Sequence, residues 1–148
     1  MSDSSLIPGN FRLPVRVYIE DTDAGGIVYY VNYLKYFERA RTELLRAAGC
    51  ARAALLDGDA MFVVHTMQVD YLKPATLDDE LVVDACIVEG GRARLVFEQC
   101  IWRRLEALCR ARISVACVDP ATRKPRALPE RIRNLFESNR LLQEEKQP

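Results

Sequence analysis

The sequence predicts an α+β domain in which an antiparallel sheet wraps around one long central helix. Two observations carry this. Residues 34–48 repeat apolar side chains with helical spacing, and only once before the C-terminal end does the chain do so. Four later segments, 62–72, 80–88, 93–101 and 107–117, alternate apolar and polar residues as half-buried strands do. One helix cannot cover both faces of a sheet that long, so one face packs on the helix. The edges and the outer face then invite a second subunit.

The elements follow in order. In 14–20, PVRVYIE, residues Val15, Val17 and Ile19 share one face of a first strand. Leu34, Phe37, Ala40, Leu44, Leu45 and Ala48 then line one face of the helix, with Lys35, Glu38, Arg39, Thr42, Glu43 and Arg46 opposite. Arg39 and Glu43 are spaced for an ion pair one turn apart. Gly49 suits the C′ position that ends the helix. Residues 50–60 read as a short helical turn or a loop. The strand faces are Val63, His65, Met67, Val69 and Tyr71; Leu81, Val83, Ala85 and Ile87; Ala93, Leu95, Phe97, Gln99 and Ile101; and the odd positions from Ala107 to Cys117. The breaks EGGR and RRLE fit hairpins. Pro129 suits the first turn of a final helix with Ile132, Leu135, Phe136 and Leu142 as its apolar stripe. The chain thus divides into an N-terminal arm (1–13), the domain proper (14–119), and a proline-rich connection with a C-terminal helix (120–148).

Composition narrows the class. Lys plus Arg and Asp plus Glu balance at 21 each, so no global field favours nucleic acid. No stretch approaches a membrane span. The N-terminal MSDSSLIPGN lacks the features of a signal peptide, which predicts a cytoplasmic protein. Five cysteines without C-x-x-C spacing read as reduced thiols, and with one histidine they make a zinc site of the usual kind a poor fit. No G-x-S-x-G is present, so an α/β-hydrolase elbow is excluded.

Residues 20–33, EDTDAGGIVYYVNY, concentrate the unusual chemistry. Two readings fit the acids Glu20, Asp21 and Asp23. One is a solvated strand end with a plain Asp-Ala-Gly-Gly turn. The other places one acid in a pocket beside a helix N-terminus, where unpaired backbone N–H groups stabilise a developing oxyanion and the carboxylate attacks a carbonyl or activates water. Gly25 and Gly26 would let backbone and substrate approach closely. His65 fits a packed histidine better than a pocket wall, though its place early in the strand suits both. Arg92 and Arg94 follow the Gly90-Gly91 turn, and Arg123, Lys124 and Arg126 form a further basic cluster that reads as solvated.

The run VRVYIEDTDAGGIVYYVNYLKYFERARTELL resembles the signature of hotdog-fold acyl-CoA thioesterases. It is similar to the YbgC-type, Tol-Pal-associated branch within the 4-hydroxybenzoyl-CoA thioesterase family. The resemblance continues through FVVHTMQVDYLKPATLDDEL and SVACVDPATRKPRALP, from about Pro14 to Pro129. It implies a hotdog fold and hydrolysis of acyl-CoA to free acid and CoA. The family's catalytic acid falls on Asp23 and its carbonyl-polarising backbone amide on Tyr30. Substrate contacts fall on Gly25, Gly26, Ile27, Val28, Tyr29 and His65, and contacts to the CoA phosphates on Arg92 and Arg94. The YbgC branch usually has His where this chain has Tyr30; the amide role survives that change, and an acid–base role of the His does not. The resemblance further implies no cofactor beyond the CoA of the substrate, no metal, and a homodimer or tetramer with the active site at the dimer interface. Acyl carrier protein or Tol-Pal components are the implied protein partners. A weakly catalytic binding module is the rival reading. A hotdog hydratase would need a histidine that the helix region lacks.

Overall fold

The computed structural model describes residues 11–49, 55–56 and 60–137, with 55–56 as backbone only. Its sheet holds six strands: β1 (Phe11–Arg16), β2 (Leu55–Leu56), β3 (Ala60–Tyr71), β4 (Glu80–Gly90), β5 (Arg94–Arg103) and β6 (Glu106–Val118). Their order across the sheet is β1-β4-β5-β6-β3-β2, every pair antiparallel. The helix α1 (Tyr30–Ala47) lies against one face of this sheet. Residues 130–137 form a further helix, with Ile132 buried and Leu135 and Phe136 packed on the core. Leu142, expected on the same stripe, lies outside the described residues. No described helix is long and apolar enough to cross a membrane.

The core is the set of inward residues that the alternation predicts. Leu81, Val83, Ala85 and Ile87 meet Leu95, Phe97 and Ile101, with Cys109, Ala111, Ile113, Val115 and Cys117 beyond them. From α1 the core receives Tyr33, Tyr36, Phe37, Ala40, Leu44 and Leu45. Gly49 closes the helix at φ +99°, a left-handed conformation open to glycine at low cost.

Several local expectations change. β1 begins at Phe11 and ends at Arg16, and residues 19–21 form a 3-10 turn. Ile19 is therefore exposed and not on the strand's apolar face. Val17 still exchanges backbone hydrogen bonds with Asp78 and Asp79, and the turn wins after it because the Asp21 carboxylate accepts the Tyr18 N–H at 2.9 Å. The helix begins four residues before Leu34, at Tyr30. Glu43 pairs with Arg46 and not with Arg39, which lies over the Tyr36 ring. A two-residue strand, Leu55–Leu56, appears where a helical turn or loop was expected. Finally, β3 carries a bulge between Val64 and Thr66. The extra residue is His65, and it reverses the alternation. Before the bulge Phe62 packs on the core; after it Met67 and Val69 do. Val63 and His65 are thus on the exposed side, and His65 is not on an apolar face.

Candidate active site

The loop between the 3-10 turn and α1 is a small hairpin. Asp23 N–H donates to Ile27 O, and Tyr29 N–H to Asp21 O, both at 2.9 Å. Thr22 bridges Val28, and Ile27 bridges Thr76. At the tip, Gly26 takes φ +81°, and the Gly25 N–H donates to Asp23 Oδ1 at 2.8 Å. A Cβ on Gly25 would lie 3.2 Å from that same oxygen. The two glycines therefore have separate tasks: Gly26 supplies the turn's backbone, and Gly25 leaves room for the carboxylate. Asp23 is exposed, and its Oδ2 has no partner among the described residues.

The three acids separate cleanly. Glu20 is exposed. Asp21 is structural: it accepts the Tyr18 N–H, and its backbone oxygen accepts from Asn32 Nδ2 at 2.8 Å, which ties the loop to the first turn of α1. The buried Tyr36 hydroxyl lies near the Asp21 carboxyl without making a hydrogen bond of good geometry. Burial, and then Asp21, push that phenol well above its ordinary range. Only Asp23 offers an uncommitted carboxylate oxygen at the hairpin tip.

The start of α1 is open in a particular way. Its N-cap is Tyr29, whose side chain caps nothing, and no acid occupies the first turn. Most helices satisfy their first N–H groups with Ser, Thr, Asp or Asn and place acids nearby. Here Asn32 N–H donates to Tyr29 O, while the Tyr30 N–H at the first helical position has no intrahelical acceptor. The positive end of the helix dipole, and a donor without a partner among the described residues, therefore stand at the end of the loop that carries Asp23.

Around this opening stand four tyrosines. Tyr29 and Tyr30 have ring centroids 4.9 Å apart, Tyr30 and Tyr71 6.1 Å, and Tyr33 and Tyr71 5.6 Å. Tyr71 Oη donates to Tyr30 O at 3.3 Å, and Tyr33 Oη accepts the Ala75 N–H at 2.9 Å. Tyr29, Tyr30 and Tyr71 are about half exposed, an unusual amount of aromatic surface. Ile27 is exposed beside them, whereas Val28 is buried in the core, its N–H bonded to Ala75 O. Sequence reading placed Tyr71 on a strand face but gave it no part in the site; its position at the end of β3 becomes meaningful only once β3 is seen beside the helix start.

The basic residues lie elsewhere. His65 and Arg94 share a groove on the outer face of the sheet with Gln68, Arg112 and Ser114. Arg94 and Arg112 both reach Glu89, at 3.5 and 2.7 Å. Ser114, buried in the same groove, has a hydroxyl without a partner, and nothing in the alternation singled it out. Arg92 is exposed, away from that groove's lining, and its carbonyl accepts the Leu128 N–H. Arg126 pairs with Asp119 at the surface. The described cysteines are buried free thiols, and burial pushes Cys100 and Cys109 up to about 12, which removes them as nucleophiles at neutral pH. Among the described residues no group of three His, Cys, Asp or Glu could hold a metal.

A hotdog arrangement of sheet and helix, an acid on a glycine hairpin and an uncapped helix start define the class of a thioester-processing enzyme. The chain belongs to the Thioesterase superfamily, whose family profile matches residues 25–109. It is 44% identical over 132 residues to the acyl-CoA thioesterase YbgC of Haemophilus influenzae, covering 88% of this chain and 97% of that one. It is 48% identical over 123 residues to the acyl-CoA thioester hydrolase YbgC of Escherichia coli, covering 82% and 92%. Among solved structures, a probable thioesterase from Bartonella henselae superposes with a TM-score of 0.74 at 35% identity, covering 80% of this chain and 98% of that one.

Proposed function

We propose that this protein hydrolyses acyl-CoA thioesters at Asp23, with the Tyr30 backbone N–H receiving the oxyanion. The observation that carries the proposal is the uncapped, acid-free first turn of α1 following a hairpin whose tip carries a carboxylate, Asp23, with an uncommitted oxygen. A thioester carbonyl bound at the Tyr30 N–H gains negative charge as it is attacked, and a fixed donor on a helix N-terminus favours that charge. The identities to named acyl-CoA thioesterases over most of the chain support the same chemistry.

Two routes use these groups. Asp23 attacks the carbonyl, the C–S bond breaks, CoA leaves as thiolate, and water then cleaves the acyl anhydride. In the other route Asp23 takes a proton from water, and hydroxide attacks directly. A single turnover in ¹⁸O-water tests them: unlabelled acid, with Asp23 carrying the label after the anhydride is cleaved at its own carbonyl, identifies the nucleophile. Label in the released acid alone fits the general base or an anhydride cleaved at the acyl carbonyl, and trapping with hydroxylamine separates these, since only an anhydride at Asp23 leaves a hydroxamate on the protein. A panel of acyl-CoAs, followed by release of free thiol, tests the activity itself, and no release from any member would refute it.

The proposal includes a dimer formed through β3. Beyond Met61 that strand has no outer neighbour among the described residues, and Val63, Val64 and Tyr71 are exposed along it. Pairing two copies there would cover the exposed tyrosines and enclose the Asp23 loop. The outer groove with His65, Arg94 and Ser114 is proposed to take the nucleotide end of CoA, since it holds cationic groups and a hydroxyl without a partner. A cytoplasmic setting, in which acyl-CoA is available, completes this reading. Metal-free hydrolysis also belongs to it and is checked by full turnover after chelation.

A further inference from the structure

The seam between α1 and β3 is filled unevenly. At the helix start Tyr30, Tyr33 and Tyr71 occupy it. Further along it opens into a cavity of about 100 Å³, walled by Leu45, Phe62, Val64, Phe97 and Val115 and by Glu38, Arg41 and Thr42 of α1. That is room for several water-sized groups.

Arg41 is out of place there on general grounds. It is only 8% exposed. A guanidinium carries five N–H donors and a permanent charge, and proteins bury one against a carboxylate or another anion. Arg41 makes none of the ion pairs found among the described residues. Its Nη1 donates to Gln99 Oε1 at 2.9 Å. Gln99 is neutral, and its own amide is held by Phe37 O and Asp84 O at 3.0 and 3.2 Å. Gln99 therefore orients the guanidinium without neutralising it. Glu38, one turn earlier on the same helix, is exposed and acts on it only at a distance. A fixed cation thus borders a largely apolar cavity whose one acid, the exposed Glu38, makes no ion pair with it.

We infer that this cavity is a subsite for the far end of the acyl group, and that Arg41 receives a carboxylate there, so that the substrates include monothioesters of dicarboxylic acids. The inference rests on the Asp23 site and the β3 dimer proposed above. Within one protomer Arg41 lies eleven residues, about 16 Å, along α1 from Tyr30. Met67 and Val69, between Val64 and Tyr71 on β3, pack on the core. Antiparallel pairing of two β3 edges sets the low-numbered half of one strand against the high-numbered half of the other. The Arg41 cavity of one protomer then lies beside the partner's Tyr30, where the carbonyl is bound. The apolar walls take the methylenes, and the guanidinium fork matches a carboxylate.

Binding is read separately from turnover. Asp23→Asn protein is titrated calorimetrically with matched pairs of CoA thioesters that differ only at the far end: butyryl and succinyl, hexanoyl and adipyl, decanoyl and sebacyl. At one matched length or more, the carboxyl-ended member is expected to bind about tenfold tighter. Adding Arg41→Met should cost the carboxyl-ended member at least tenfold more affinity than its methyl-ended twin. Arg41→Lys, which keeps a cation and guards against a variant that does not fold, should retain part of the preference. Methyl-ended members binding as tightly at every length would overturn the inference. So would an Arg41→Met loss shared equally by both series, since Arg41 would then only support Gln99 and the helix. If wild-type protein hydrolyses none of the six, the Asp23 reading fails, and the titration still decides the role of Arg41.

Discussion

The two edges of the sheet are built on opposite plans. β1 is six residues long and includes Pro14 between Arg12 and Arg16. Proline removes a donor from an edge, and charges discourage a stray strand from joining. β3 has twelve residues and no proline, and Val63, Val64 and Tyr71 stand exposed on it. Its free length is the kind of template that pairs with another strand. The uncapped start of α1 and the tyrosine cluster meet the end of β3 and not β1. In the proposed function chemistry and assembly therefore share one edge, while the other takes part in neither. Changes along the β3 side should alter turnover, and changes on the β1 side should leave it intact.

The largest effect belongs to Asp23. Asp23→Asn keeps an oxygen that can accept the Gly25 N–H, so the hairpin and the melting temperature should hold. Turnover of acyl-CoA should fall by about 10²–10⁴, the usual worth of a positioned acid or base. Near-normal kcat would remove Asp23 from the mechanism. Gly25→Ala comes next. Its new methyl would crowd Asp23 Oδ1 at 3.2 Å, and a small displacement of a reacting group costs about 10–10² in rate. Thermal unfolding should barely change, because Gly25 does not need a left-handed backbone.

The edges themselves are compared by placing one lysine on each. Val63→Lys puts charge on the exposed side of β3 and should weaken the dimer by at least about tenfold, or 1.4 kcal/mol. Mass measured by light scattering on dilution should shift toward the monomer, and specific activity should fall with it. Pro14→Lys on β1 should change neither mass nor activity. Equal behaviour of the two variants would refute the division between the edges.

Much of this division was legible in the sequence. The alternation of β4, β5 and β6 named nearly every inward residue, because those strands have partners on both sides and a regular pleat. It failed at His65, where a single extra residue reverses the faces of β3 and leaves no mark in an apolar–polar pattern. Asp23 and Tyr30 were placed by resemblance to a family, not by periodicity. The physical reason for Tyr30, an uncapped first turn, could be seen only when the helix was found to start there. Tyr71, Ser114 and Arg41 were passed over for a common reason: each is an ordinary residue in its own element, and its importance comes from what distant segments bring beside it, as Tyr30 does for Tyr71, or fail to offer it, as at Ser114 and Arg41. Tertiary surroundings have no local signature.

The smallest effect on turnover should come from the β1 side, at Asp84. This carboxylate is buried on the outer face of β4, paired in register with Arg12 of β1. Cys100 N–H and Trp102 Nε1–H donate to its two oxygens at 2.7 and 2.9 Å. Burial outweighs both hydrogen bonds and lifts its pKa from 3.8 to about 6. Between those two values the folded chain holds a proton that the unfolded chain has released. Stability from this group is therefore greatest toward pH 4, falls as pH rises to about 6, and is level on either side. The loss across the window is at most about 3 kcal/mol. Urea unfolding at a series of pH values should show it as a downward slope in wild type that flattens in Asp84→Asn. The variant's overall stability should be lower, because an amide cannot accept from both donors. Its kcat should match wild type, since Asp84 lies on the side of the sheet that the site does not use. An unchanged slope would mean that Asp84 stays ionised in the fold, held by the two donors and by Arg12 against its burial.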